Sequence, residues 1–308
     1  MDGVLLIDKP AGITSAGVVR VLKRRAGRRK VGHLGTLDPF ATGLLPLCVG
    51  EGTKIAQFLA SEDKVYTGRV RLGVETDSLD CTGRTVREAP SPALERAELE
   101  RVAARFAGRS WQVPPMYSAI KREGVPLYEL ARRGIEVERA ARPIDIREIR
   151  LTIGGPEEID FRVECSKGTY VRVLAADIAR ALGSVGHLVN LRRERFGRFQ
   201  VSEAHPLAAL AEETGPLPVL DIRTALSHLR ELRIREEAAI LLRRGQQGVL
   251  RALPAPRDRG DMALLIADSG QAVGVVEAES GRLQWRLVRA LAPQPNEDTK
   301  LYKPQPVC

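Results

Sequence analysis

Residues that commonly announce a metal or a cofactor are scarce and scattered in this chain. Of 308 residues, four are Cys and four are His. Cys48, Cys81, Cys165 and Cys308 form no C-x-x-C, and no nearby His completes a zinc pattern. His33, His187, His205 and His228 lie too far apart in sequence to propose a metal site. The phosphate loop G-x-x-x-x-G-K-[ST] is missing, and GEGTK at 50–54 is only a weak echo of it. So are the nucleophile elbow G-x-S-x-G and the zinc signature H-E-x-x-H. Neither a nucleotide cofactor nor a metal is expected. No apolar run reaches the length that spans a bilayer. The opening MDGVLLIDKP holds four apolar residues in a row behind Asp2, too few for a signal peptide. With widely spaced cysteines, reduced thiols and a cytoplasmic protein are expected.

What the chain has is apolar mass and positive charge. A hydrophobic share of 44% beside 28% charged residues is a globular composition, and 308 residues suggest two domains. Lys and Arg number 48 against 39 Asp and Glu, a net +9 with a pI near 9.7. That balance makes nucleic acid a candidate partner, although many basic proteins are merely soluble. The charge is concentrated at 20–30, where Arg20, Lys23, Arg24, Arg25, Arg28, Arg29 and Lys30 meet no acid. Such a run is either a solvated face or a surface that tracks phosphates.

Periodicity and punctuation predict the elements. Val4–Ile7 reads as a strand. Thr14 and Ser15 offer N-caps for a helix bearing Val18, Val19 and Leu22 that ends near Gly27. Residues 31–43 read as a Gly-rich loop, Leu44–Val49 as a buried strand, Thr53–Ala60 as helical and Val65–Leu72 as a strand. Leu94–Phe106 is an amphipathic helix. The irregular stretch after Trp111, with a short helix at Tyr128–Arg133, reads as a ligand-contacting loop. Ile159–Cys165 is a strand, followed by a helix whose face carries Val171, Leu174, Ala175, Ile178 and Leu182. Gly186–Arg195 is a basic strand. A boundary is expected between about 205 and 222. Beyond it come a helix at Glu236–Arg243 and short strands at Ala263–Ala267, Ala272–Val276 and LQWRLV, suggesting a small β-barrel, closed or partly open. The polar, Pro-rich end, 293–308, reads as disordered.

The segment GHLGTLDPFATGLL, 32–45, is the most informative. Alone, Asp38 before Pro39 is a turn residue, and His33 in a Gly-rich loop is a surface residue. The segment is one of several ordered blocks, with LLIDKPAGITS before it and KVYTGRVRLGVETDSLDCTG, VPPMYSAIKREGVPLYELARRG, CSKGTYVRVLAADIARALG and HLVNLRRERFG after it. Together they resemble the bacterial TruB-type pseudouridine synthases over most of residues 1–200. Ala16, Gly17 and Leu34 depart from that pattern. The C-terminal part resembles a PUA-type RNA-binding barrel.

The resemblance implies a mixed α/β (α+β) fold, in which a twisted, mainly antiparallel sheet with flanking helices is followed by a small PUA-like β-barrel. The expected division is 1–215 for catalysis, 222–292 for RNA binding and 293–308 as tail. It implies isomerisation of the uridine at position 55 in the T-loop of tRNA. Asp38 is then the nucleophile, ionised beside Arg172, either adding at C1′ or abstracting a ribose proton. Tyr66 stacks on the flipped base and takes part in the final proton transfer. Tyr170 and Leu191 line the uracil pocket, and His33 props open the RNA loop. Arg24, Arg25, Arg28, Arg29 and Lys30 are the candidate phosphate contacts. The expected protein is a monomer whose partner is the T-arm stem-loop of tRNA. Two alternatives stay open: a guide-RNA-dependent relative, and an RNA chaperone that folds tRNA without turnover.

Overall fold

The computed structural model describes residues 2–212, 214–279 and 283–293; most of the expected tail lies outside them. In chain order the strands are β1 (Gly3–Lys9), β2 (Val31–His33), β3 (Thr42–Val49), β4 (Lys64–Leu72), β5 (Val74–Thr76), β6 (Thr85–Glu88), β7 (Gly108–Gln112), β8 (Lys121–Arg122), β9 (Val125–Pro126), β10 (Arg142–Gly155), β11 (Glu158–Cys165), β12 (Gly186–Phe196), β13 (Phe199–Gln200), β14 (His205–Pro206), β15 (Leu220–Asp221), β16 (Arg230–Ile234), β17 (Met262–Ala267), β18 (Ala272–Ala278) and β19 (Trp285–Ala290). The α-helices are α1 (Ser15–Ala26), α2 (Ala56–Leu59), α3 (Arg96–Phe106), α4 (Leu127–Arg132), α5 (Val171–Ala181), α6 (Leu207–Glu212), α7 (Ile222–Ala225) and α8 (Glu236–Arg243).

Eleven strands form one sheet along the path β14-β1-β3-β12-β4-β11-β10-β7, with β13, β15 and β2 joined at its flanks. Pairing is antiparallel except for β1 with β14 and β12 with β3. The parallel β3–β12 contact sets Arg192 opposite Thr42 and Arg193 opposite Gly43, which lays the end of the Asp38 turn on the middle of the sheet. Gly43 (φ +98°) is required there, because a Cβ would lie 2.4 Å from the Arg193 carbonyl oxygen. The helices pack by the faces their sequences predict. α1 buries Val18, Leu22 and Ala26, and α5 buries Val171, Leu174, Ala175 and Ile178 among others.

After residue 229 a second sheet follows in the order β16-β17-β18-β19. The expected barrel is an open sheet among the described residues. Its edge strands β16 and β19 meet through side chains instead of a backbone ladder. Arg230 lies over the Trp285 ring at 4.9 Å, and Trp285 Nε1 donates to the Pro254 carbonyl at 2.6 Å. This sheet is not a separate body, since Leu264, Ile266 and Val275 share a core with Val4, Leu6, Cys48 and Phe196 of the first sheet. No helix among the described residues is long and apolar enough to cross a membrane.

Candidate active site

Asp38 sits in the turn between β2 and β3, gripped from both sides. Before it, the Ser15 hydroxyl donates to the Leu37 carbonyl at 3.0 Å and accepts from the Leu37 N–H at 2.9 Å. After it, the Pro39 carbonyl accepts from Lys9 Nζ at 3.1 Å and from the Gly12 N–H at 2.8 Å. The segment Lys9–Ser15 thus builds the mould for the turn. Ser15 is not the N-cap of α1. Thr14 is, accepting from the Gly17 N–H at 2.9 Å, which frees Ser15 to reach Leu37.

Arg172, in the first turn of α5, is 4% exposed. Its Nε lies 2.8 Å from Asp38 Oδ2 and its Nη2 donates to Asp38 Oδ1 at 3.3 Å, a two-point grip. The remaining donor capacity goes to the Ser78 and Tyr117 carbonyls at 2.8 and 2.6 Å. A second carboxylate, Asp80, stands 3.6 Å from Arg172 Nη1. Asp80 is itself held by Ser78 Oγ and by the N–H and hydroxyl of Thr82. Burial pushes the Asp38 carboxyl above the usual carboxylate range. Arg172 opposes that push, Asp80 adds to it and Lys9 eases it. The outcome is a carboxylate of raised basicity whose ionised form depends on its arginine. About a third of its side chain (32%) is open to solvent, whereas Arg172 is sealed in.

Tyr66 on β4 and Leu191 on β12 are both buried, and the Leu191 carbonyl accepts from Thr42 Oγ1 at 3.5 Å, beside the end of the turn. Tyr170 is half-buried at the start of α5. Gln112 fixes its backbone, donating to the Tyr170 carbonyl at 3.2 Å and accepting its N–H at 2.7 Å. His33 ends the short strand β2 instead of lying in a loop, because 31–33 pairs with β3. Burial and then Arg193 push its imidazole below the usual histidine range, so the neutral ring dominates at pH 7. Of the basic run, Arg24, Arg28, Arg29 and Lys30 are exposed. Arg25 differs: its guanidinium donates to the carbonyls of Leu210 and Gly215, bracing α1 against α6 and Gly215 beyond it.

Sequence reading passed over Lys9, Asp80, Gln112 and Arg193, and took Ser15 only as a possible cap. Each lies in or beside a motif block, but its role is a contact with a distant residue. Burial raises the Cys48 and Cys165 thiols to about 12, which leaves them protonated and unreactive. Surface clefts of about 340 and 410 Å³ lie near Trp111 and β6, and neither is lined by Asp38, Tyr66 or Arg172. Asp38 is thus a part-exposed carboxylate on a buried arginine, apart from both clefts.

Residues 23–171 match the N-terminal domain of the TruB family of pseudouridylate synthases. The chain is 52% identical over 210 residues to "tRNA pseudouridine synthase B" of Aromatoleum aromaticum, covering 68% of each chain. It is 45% identical over 289 residues to the protein of that name in an Azoarcus species, covering 92% of this chain and 93% of the other. Among solved structures, a Cbf5-Nop10-Gar1 complex aligns with a TM-score of 0.69 at 24% identity, over 94% of this chain and 85% of that one. At that identity the likeness concerns the fold. The fold and the relatives together make the chain a pseudouridine synthase with a small sheet appended. Within that class, the chain belongs to the TruB family.

Proposed function

We propose that the chain isomerises the uridine at position 55 of the tRNA T-loop to pseudouridine without a guide RNA. One observation carries this reading: the partly open Asp38 carboxylate, held at two points by a buried arginine in a turn whose flanking residues are both fixed. A nucleophile that attacks one carbon and then releases it needs this combination of ionisation and fixed direction. Relatives at 41–52% identity carry the name tRNA pseudouridine synthase B, which supports tRNA as substrate.

In this reading the target base leaves its stack at a cost of a few kcal/mol, offset by stacking on Tyr66 and packing on Leu191 and Tyr170. Asp38 then acts on the ribose as the N1–C1′ bond breaks. The freed uracil turns in place between Tyr66 and Leu191 and rejoins through C5, and the C5 proton leaves with Tyr66 in attendance. Neutral His33 suits insertion among bases better than contact with phosphate. The exposed cations of 24–30 track the T-arm backbone. The sheet after residue 222, PUA-like in sequence, adds RNA surface, with the catalytic unit ending near 215. No step requires a metal or a redox cofactor, and the proposed enzyme is a cytoplasmic monomer. The test is purified chain with an unmodified tRNA transcript, read by mapping pseudouridine at single-nucleotide resolution. Product at the T-loop uridine with no added RNA is expected. Product that appears only when a guide RNA is added overturns the reading.

A further inference from the structure

Arg193 on β12 is a buried charge that the proposed chemistry does not use. It is 0% exposed, and no carboxylate pairs with it among the described residues. Its Nε donates to the Leu44 carbonyl at 2.7 Å and its Nη2 to the Gly35 carbonyl at 3.2 Å. Those carbonyls are the two feet of the turn that carries Asp38. Gly35 (φ +67°) holds a left-handed conformation that favours glycine, and a Cβ there would press on Phe196 Cε2 at 3.2 Å. Nη1 is buried without a hydrogen-bond partner. Directly across the ladder from Arg193 stands Tyr66, so the two side chains leave the same face of the sheet.

An unpaired guanidinium is among the most costly groups to bury. Packing alone does not explain it, because an aliphatic residue would fill the volume without that cost. Its surroundings add to that cost: Lys9, Lys64 and His33 are pushed below their ordinary ranges by burial first, and the Arg193 charge pushes each the same way. Tyr66 is a neighbour that gains from it. Burial pushes the phenol upward and Arg193 pulls it back.

We infer that Arg193 is a positioning residue for the isomerisation, tying both feet of the Asp38 turn to β12 and presenting its free nitrogen to the Tyr66 hydroxyl. The inference rests on the proposed roles of Asp38 and Tyr66. Arg193 touches no reacting atom. It fixes the direction of the carboxylate and the plane of the stacking ring.

Two variants test it. Arg193→Lys keeps a buried cation and loses the fork; Arg193→Gln loses the charge as well. Single-turnover rate at saturating unmodified tRNA, affinity for the same tRNA and thermal unfolding are measured for each. For Arg193→Lys the rate falls about 10- to 100-fold while affinity stays within about threefold of the parent, and Arg193→Gln loses more. Combined with Tyr66→Phe, the loss is smaller than the product of the two single losses, because both changes act on one arrangement. A folded Arg193→Lys that reacts at the parent rate overturns the inference, as do losses that multiply fully. Failure of both variants to fold also overturns it, since Arg193 is then a structural staple. If Asp38→Asn and Tyr66→Phe themselves react like the parent, the reading of the whole site fails instead, and that result is distinct.

Discussion

The sheet around Asp38 and the sheet after residue 229 treat buried positions in opposite ways. Every buried polar or charged side chain among the described residues lies between Lys9 and Arg193. The second sheet buries Leu232, Leu265, Val273, Val276 and Trp285, and keeps its charges outside in pairs such as Arg223–Glu231 and Arg286–Glu277. Its interior is bound mainly by burial, at roughly 25 cal/mol per Å², with the Trp285 hydrogen bond and the part-buried Arg230–Asp261 pair at its edge. The first region buries Lys9, Asp80, Arg172 and Arg193, each held by hydrogen bonds of fixed direction. Buried charge seldom adds net stability. Where a fold concentrates it around one partly open carboxylate, geometry is the property being maintained.

The sharpest way to break this comparison is Asp38→Asn, which is nearly isosteric. Turnover should fall on the order of 10³-fold or more while tRNA affinity changes little, because only the charge and the nucleophile are gone. Activity near that of the parent would mean that another residue attacks.

Arg172→Met should come next. It leaves Asp38 and Asp80 facing each other without their cation, and breaking a buried pair of this kind costs about 3–5 kcal/mol. Its second signature is a pH shift. Asp38 works ionised, its carboxyl is already pushed up by burial, and Arg172 opposes that push. Without Arg172 the carboxyl rises further, so the acid limb of the rate profile moves to higher pH and activity is lost first on the acid side. A limb that stays in place while activity drops would show that Arg172 orients the carboxylate without ionising it.

How much of this was legible follows from how far each contact reaches along the chain. The faces of α3 and α5 were readable from a 3.6-residue period, and α8 falls at Glu236–Arg243 as expected. The Asp38–Arg172 pair was legible only through family resemblance, since 134 residues separate its members. Ser15 looked like a cap because Thr14 and Ser15 both suit that position, and nothing local shows that its hydroxyl meets Leu37, 22 residues on. Arg193 stood inside a basic strand reading LRRER, where its neighbours Arg192 and Arg195 form ion pairs with Asp8 and Glu164. Sequence does not say which of those arginines points inward; the β-bulges between β4 and β12 decide it. Whether the small barrel is closed or partly open was left undecided in the sequence, because strand count does not reveal whether the edges meet; among the described residues it is open.

Paired substitutions compare the two regions directly. Leu265→Ala, at a fully buried position of the second sheet, should cost about 2–5 kcal/mol through lost burial and a cavity, with the single-turnover rate of the folded protein unchanged. Ser15→Ala should cost less, about 1–3 kcal/mol for the two Leu37 groups left unpaired, yet slow the chemical step by freeing the Asp38 turn. Urea unfolding beside single-turnover kinetics reads both. The comparison collapses if the rate tracks stability in the same proportion for the two variants.

The smallest effects are expected in the basic run, and they separate two kinds of arginine within one helix end. Arg24, Arg28, Arg29 and Lys30 face solvent, whereas the Arg25 guanidinium is engaged by the carbonyls of Leu210 and Gly215. A cation that neutralises a phosphate releases counterions, and losing one such contact lowers the slope of log affinity against log salt by about 0.7 to 0.9. Neutralising each exposed residue to Gln should produce a change of that size with little loss of stability. Arg25→Gln should leave the slope nearly unchanged, because its donors are already committed, and should lower the melting temperature by releasing Leu210 and Gly215 from α1. The measurement is tRNA affinity across a salt series, with thermal unfolding of each free protein. If Arg25→Gln flattens the slope as much as Arg28→Gln does, its carbonyl contacts open on binding and the whole run acts as one phosphate surface. If no substitution moves the slope, the run is a solvated face and the contacts to RNA lie elsewhere.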